Sequence, residues 1–267
     1  MRIGEIQCKS ILGRSGIGGM DYAVNPYLGC SHACAYCYAR FMRKMSHTGE
    51  DWGDFVDVKV NAVDVLKLEA ARKPRGRVIL SSVTDAYQPL ERKYQLTRRC
   101  LEVLLEHGFS VDILTKSDLV LRDIDLFKKF DDIEVGLTIT GFDDGVRMAF
   151  EPGASSIKTR LDTLKLLNNE GIPTYAFLGP MLPHLSDEHL EELLNTLTDR
   201  VSRLLVDRLN IKCGNMPDIR RVLDTYFPDL KSMFEATLGC DSEYYTELKA
   251  KISLLCRDRA IPVRVIY

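Results

Sequence analysis

From Arg77 onward the chain alternates two kinds of apolar pattern. Short runs rich in Val, Ile and Leu, bounded by turn-forming residues, read as strands at Arg77–Ser82, Ser110–Leu114, Glu134–Ile139, Thr174–Leu178 and Arg203–Asn210. Between them, Leu96–Glu106, Ile124–Phe130, Ser156–Glu170 and Glu188–Thr198 carry the spacing of amphipathic helices, and Gly108 and Gly171 close two of these. Upstream, Asp51–Asp57 reads as a loop running into a strand, and Ala62–Arg72 as a helix that stops before Pro74 and Gly76. Strands and helices in such alternation imply a parallel sheet with right-handed crossovers.

The two ends of the chain read differently. Gly13, Gly16, Gly18 and Gly19 make residues 1–24 an irregular arm, with one short strand at Glu5–Ser10. Residues 25–215 form the α/β core, and 216–267 a mostly helical extension packed on it, helical from Ser232 to Arg257 and ending in a strand at Ile261–Tyr267. The 267 residues suit one catalytic domain of about barrel size. With 36 basic and 38 acidic residues, the net charge of −2 exerts no strong pull toward nucleic acid or an anionic membrane. No apolar run approaches ~18 residues, and the opening Met-Arg-Ile-Gly-Glu lacks a signal-peptide core. The expectation is a cytoplasmic protein without membrane partners, its eight cysteines reduced.

Three of those cysteines carry the chemistry. Asn25–Met42 contains Cys30, Cys34 and Cys37 at C-x3-C-x2-C spacing, so three thiolates converge from one loop. Electron-transfer clusters usually give every iron a thiolate, and three thiolates leave a cubane with one open iron, as catalytic metals keep an open position. A structural zinc knot and simple burial of small thiols are the competing readings; His32 stands at an unusual spacing for a fourth zinc ligand. The spacing, with Tyr36 just before the third cysteine, resembles the radical S-adenosylmethionine (radical SAM) superfamily. That resemblance implies a partial (β/α)6 TIM-like barrel, a [4Fe–4S] cluster on Cys30, Cys34 and Cys37, and S-adenosylmethionine on the open iron. Tyr36 is counted with the cofactor-binding residues.

Ligands of parallel α/β folds gather at the carboxyl ends of the strands. Ser81, Ser82, Thr84 and Asp85 follow one strand with acceptors suited to an ammonium group, or with capping residues for the next helix. Superfamily members use this strand end for the amino group of S-adenosylmethionine. Lys116 ends the next strand and can neutralise a carboxylate oxygen, or stand solvated.

Several stretches resemble a narrower group, the DNA-repair-photolyase-like enzymes related to spore photoproduct lyase. They are the cysteine loop, Ser81–Glu91, Leu114–Ser117, and Glu151–Ala154 with Arg160 downstream, within residues 20–185. By this likeness Thr138 and Thr140, on alternate positions of a strand, contact the ribose or serve as strand formers. Arg160, early in a helix where its charge needs a partner, pairs with Glu151 or with the cofactor carboxylate. Phe177, Leu178 and Gly179 offer apolar surface to adenine or to the core. Spore photoproduct lyases carry a hydrogen-donating cysteine where this chain reads Ser81-Ser82-Val83, so that repair chemistry does not carry over.

Of the remaining cysteines, Cys100 reads as core and Cys8 as a free thiol. Cys213, beyond the strand Arg203–Asn210, is the candidate for a catalytic thiol facing substrate; Cys240 and Cys256 are unassigned. The sequence therefore points to an enzyme that cleaves S-adenosylmethionine reductively, takes hydrogen from an unidentified substrate, and draws electrons from a flavodoxin- or ferredoxin-like donor. A non-catalytic iron–sulfur protein is the alternative. Within the enzyme class, nucleic acid competes with peptides and small metabolites, and the weak net charge argues mildly against it.

Overall fold

A period of two along each central strand sorts its residues between the inside of a partial barrel and the layer beneath the helices. The computed structural model describes residues 1–238 and 243–267, so Cys240 lies outside the described residues. The strands are β1 (Arg2–Ile6), β2 (Leu12–Arg14), β3 (Tyr22–Val24), β4 (Tyr27–Leu28), β5 (Phe55–Lys59), β6 (Arg77–Leu80), β7 (Ser110–Thr115), β8 (Ile133–Thr138), β9 (Thr174–Met181), β10 (Arg203–Arg208) and β11 (Val263–Val265).

The main sheet runs β11-β10-β9-β8-β7-β6-β3-β2. Every adjacent pair is parallel except β2 with β3. The run from β3 through β6, β7, β8 and β9 to β10 is the partial (β/α)6 barrel, left open at its edges among the described residues. A second sheet, β1-β5-β4, lies beside the cysteine loop.

The arm is more ordered than its glycines imply. β1 pairs with β5, and β2 with β3; β3 joins β6 as the first barrel strand and leads into the cysteines. β2 and β3, at three residues each, are too short to show a period, and the strand expected at Glu5–Ser10 is β1, lying earlier at Arg2–Ile6. The helix expected at Ile124–Phe130 spans only Ile124–Phe127, after a 3₁₀ turn at Asp118–Asp123. Helices at Asp144–Phe150 and Met216–Tyr226 add to those expected. Asp143 and Ser156 cap Asp144–Phe150 and Ile157–Asn169 by accepting from Gly145 N and Thr159 N.

Val78, Leu80, Val111, Ile113, Val135, Leu137, Ala176, Leu178, Leu204 and Val206 face outward into one buried apolar core. Their neighbours Asp112, Glu134, Tyr175 and Arg203 therefore face inward. The Tyr175 hydroxyl donates to Asp112 Oδ1 at 2.8 Å, and Arg203 reaches Glu134 through Nε at 2.8 Å while lying 4.4 Å from the Tyr175 ring centre. Above this polar layer, Ile79, Leu114, Thr138 and Phe177 line the cavity into which the cysteine loop folds.

Candidate active site

The cysteine loop is gripped at its backbone before its thiols are considered. Ser31 N donates to the buried Gln88 Oε1 at 3.0 Å, and Gly153 N donates to His32 O at 3.1 Å. A Cβ on Gly153 would lie 2.2 Å from Ser31 O, so the Glu151–Ala154 turn can press on the loop only with glycine there. His32 Nδ1 stands 3.3 Å from Asp85 Oδ2, joining the loop to the strand end after β6.

Asp85 organises that junction. Its Oδ1 accepts from Thr115 Oγ1 at 2.6 Å and Tyr87 N at 2.9 Å, and its Oδ2 accepts from Lys116 N at 2.9 Å besides facing His32. Burial alone would raise its pKa, but His32, Lys116 and the Thr115 hydroxyl outweigh it and hold the carboxyl well below the usual range. Asp85 is thus engaged mainly in holding this junction together, while still bordering the cavity.

Cys30 and Cys34 are buried and Cys37 is half-buried. Burial pushes the Cys30 thiol up to about 12 and Cys34 well above its ordinary value; charge on the other two cysteines adds to the rise at Cys34, and Lys116 opposes it. The three thiols are thus close enough to feel one another. Yet among the described residues no three His, Cys, Asp or Glu side chains are grouped to hold a single metal ion. Three thiols from one loop lining a single cavity are the donor set that a cluster with one open iron requires.

The thiols open on a cavity of about 420 Å³, lined also by Ser81, Lys116, Thr138 and Phe177. Ser81 is held in left-handed backbone at φ 66°, its N–H donating to Val24 O at 2.8 Å. Its Oγ is buried without a hydrogen-bond partner among the described residues, a cost that a bound polar group would remove. The Lys116 ammonium lies 5.9 Å from the Tyr36 ring centre and makes no ion pair within 4 Å among the described residues. Burial would lower its pKa, but Cys34, Glu151 and Asp85 reverse this and keep it protonated. A half-buried cation beside three thiols and an unpaired hydroxyl are the features that a cluster and a zwitterionic ligand require.

Tyr36, Ser82, Thr84 and Asp85 also line the cavity. Thr84 Oγ1 donates to Gly29 O at 2.6 Å, and Ser82 Oγ accepts from Asn25 Nδ2 at 3.3 Å, so both also brace the loop's entry. Three expected cofactor residues are not in the wall. Thr140 lies beyond the end of β8, its carbonyl accepting from Ser186 Oγ. Leu178 falls on the outward parity of β9 and is fully buried in the core. Arg160 is fully buried beneath the wall, paired with Glu151, with Nε on Ser155 O at 2.8 Å and Nη1 on Thr138 O at 2.9 Å. Cys213 is exposed in the loop after β10 and does not line the cavity, which removes the geometric reason for a substrate-facing thiol there. Cys100 and Cys256 are buried in the core.

The fold gives further residues partners that spacing does not show. Glu151 receives the Tyr36 hydroxyl on one oxygen and Arg160 on the other. Burial opposes its ionisation, but Arg160 and Lys116 hold its pKa below the ordinary value. Pairing of Glu151 with Arg160 is open to the sequence, while the contact to Tyr36 spans 115 positions and has no local trace. Asn215 Nδ2 donates to Tyr36 O at 2.9 Å, and Trp52 joins the wall beside Cys30.

The family model of the radical SAM superfamily matches residues 24–197. An uncharacterised protein of Methanocaldococcus jannaschii is 40% identical over 225 residues, covering 84% of this chain and 83% of that one. One from Mycobacterium tuberculosis is 32% identical over 205 residues, covering 72% of this chain and 60% of its own length. Among solved structures, a spore photoproduct lyase variant with bound AdoMet and dinucleoside spore photoproduct superposes with a TM-score of 0.69 at 16% identity, over 100% of this chain and 82% of that one. That likeness is one of fold.

Proposed function

The chain belongs to the radical SAM superfamily, whose cofactors are a [4Fe–4S] cluster and S-adenosylmethionine, and we propose that it uses them to abstract hydrogen from a substrate held in the cavity above β6–β9. When bound, this pair supplies a 5′-deoxyadenosyl radical after one-electron reduction. The chain's own part is to bind, orient and seclude.

Cys30, Cys34 and Cys37 are the cluster ligands in this reading. Lys116 faces the cofactor carboxylate as a charge-assisted donor, and the unpaired Ser81 hydroxyl accepts from its ammonium, with Ser82 and Thr84 beside it. Asp85 positions Lys116 and the cysteine loop. Thr138 and Phe177 border the adenosine, the first with a hydroxyl and the second with a ring face. The Tyr36–Glu151–Arg160 chain fixes the aromatic residue between the second and third cysteines. The observation that carries the reading is the convergence on one cavity of three cysteines from one loop, the half-buried Lys116 ammonium and the buried Ser81 hydroxyl, which has no partner among the described residues.

Asp207, Arg208 and Lys212 line the cavity on the β10 side, where a substrate enters. With a net charge of −2, a peptide or small metabolite fits the chain better than a nucleic acid, and binding that weakens steeply with salt would reverse that preference. A small flavodoxin- or ferredoxin-like protein in a reducing cytoplasm supplies the electron. The test is anaerobic reconstitution followed by EPR of the reduced protein. About four irons per chain and a spectrum altered by S-adenosylmethionine support the proposal. A cluster indifferent to that compound means an electron-transfer protein instead.

A further inference from the structure

Trp52 is the only tryptophan in the chain. It stands in the cavity wall with Cys30 and Cys37 and belongs to one small apolar cluster with Leu28, Cys30, Ala39 and Phe55, against which Cys37 packs. The residue is only 8% exposed. Its Nε1 is buried and donates to no acceptor among the described residues. An indole nitrogen can only donate, and burying it unpaired costs about 1–3 kcal/mol. Something in the wall region is therefore expected to accept its proton.

The ring is held in place. Phe55 meets it edge-on, with centroids 6.0 Å apart at 84°, and Phe55 is itself stacked on His47 at 3.9 Å and 11°. His47 Nε2 sits 2.7 Å from Asp57 Oδ2. Behind Trp52, Gly53 adopts φ +101°, and a Cβ there would lie 2.4 Å from Ala33 Cβ. Residue 53 thus touches the cysteine loop between Cys30 and Cys34, a close approach that only glycine permits. The indole is wedged between this contact and the Phe55–His47 stack.

We propose that Trp52 Nε1–H donates a hydrogen bond to sulfur at the cluster edge held by Cys30 and Cys37, and thereby raises the cluster's reduction potential. The proposal rests on the reading of the three cysteines as cluster ligands. Hydrogen bonds to sulfur are one of the protein's levers on cluster potential. They favour the reduced state because the added electron increases negative charge on the sulfurs.

The test compares the reconstituted wild type with Trp52→Phe and with protein carrying benzothienylalanine at position 52. In that analogue sulfur replaces the indole N–H while the bicyclic shape is kept, so it reports on the donor even where phenylalanine perturbs folding. Iron content is assayed, and the reduced fraction is read by EPR at a fixed solution potential. The expected result is full iron in the analogue protein with a reduced-to-oxidised ratio about tenfold lower, equivalent to about 59 mV for one electron. Loss of an exchangeable proton coupling to the cluster in the analogue should accompany it. Full iron with an unchanged ratio overturns the proposal alone. A wild type that takes up no iron overturns the reading of the three cysteines, and the proposal with it.

Discussion

His32 Nδ1 lies 3.3 Å from Asp85 Oδ2, so the loop that carries the three cysteines is tied to the strand end that faces them. The same carboxylate holds Thr115 and the Lys116 amide, and one acidic group thereby sets the spacing between two walls of the cavity. Asp85→Ala leaves these buried donors unpaired, at about 1–3 kcal/mol for each group. The expected outcome is a several-fold fall in iron bound after reconstitution and a lower Tm, measured by iron assay and by thermal unfolding of the apoprotein. Full iron uptake by this variant contradicts the positioning role.

Glu151 and Arg160 form a fully buried ion pair beneath the same wall. Removing one partner strands the other charge, a loss of about 3–5 kcal/mol. Arg160→Met should lower the denaturant midpoint of the apoprotein by a corresponding amount, and Glu151→Gln combined with Arg160→Met should recover part of it. Equilibrium unfolding of the wild type and these two variants checks this.

Lys116 has no ion-pair partner within 4 Å among the described residues, so removing it is expected to leave the fold intact and to take a cation from the cavity. Charge-assisted hydrogen bonds contribute about 1.5–3 kcal/mol, which is roughly a ten- to hundredfold change in affinity. Lys116→Met is expected to weaken S-adenosylmethionine binding by that factor with iron content unchanged, as read by equilibrium dialysis on the reconstituted protein.

These residues show what sequence can and cannot disclose. Cys30, Cys34 and Cys37 were legible because their relation is local, and the barrel strands because a run such as Arg77–Leu80 ends in visible turn chemistry. Parity along a strand separates Phe177 in the cavity from Leu178 in the core, but it requires knowing which face is inward. Arg160 lacked only its partner, and burial selected Glu151. Cys213 follows a strand in sequence, yet its loop carries it to the surface. Trp52 and His32 acquire meaning from contacts across sheets, which no spacing encodes.

Asp112 gives the fold a pH dependence independent of any cofactor. Burial raises its pKa from 3.8 to about 6, opposed by the hydrogen bond from Tyr175. The folded state holds this proton more tightly than the unfolded chain does. The stability it contributes is fully present below pH 3.8 and is lost as pH rises through about 6. Asp112→Asn keeps an acceptor for Tyr175 and removes the ionisation. The variant is expected to be more stable than wild type above pH 7, by up to about 3 kcal/mol at 1.36 kcal/mol per pKa unit, with the advantage vanishing toward pH 4. Urea unfolding across that range measures it.

The measurement closest to the central claim is release of 5′-deoxyadenosine from S-adenosylmethionine by the dithionite-reduced, reconstituted protein, compared with Cys34→Ala. Loss of Cys34 removes one of the three convergent thiols without touching Ser81, Lys116 or Phe177. The account predicts steady release by the wild type and none above background from the variant. Undiminished release by Cys34→Ala, or none from a wild type carrying its full complement of iron, would contradict it.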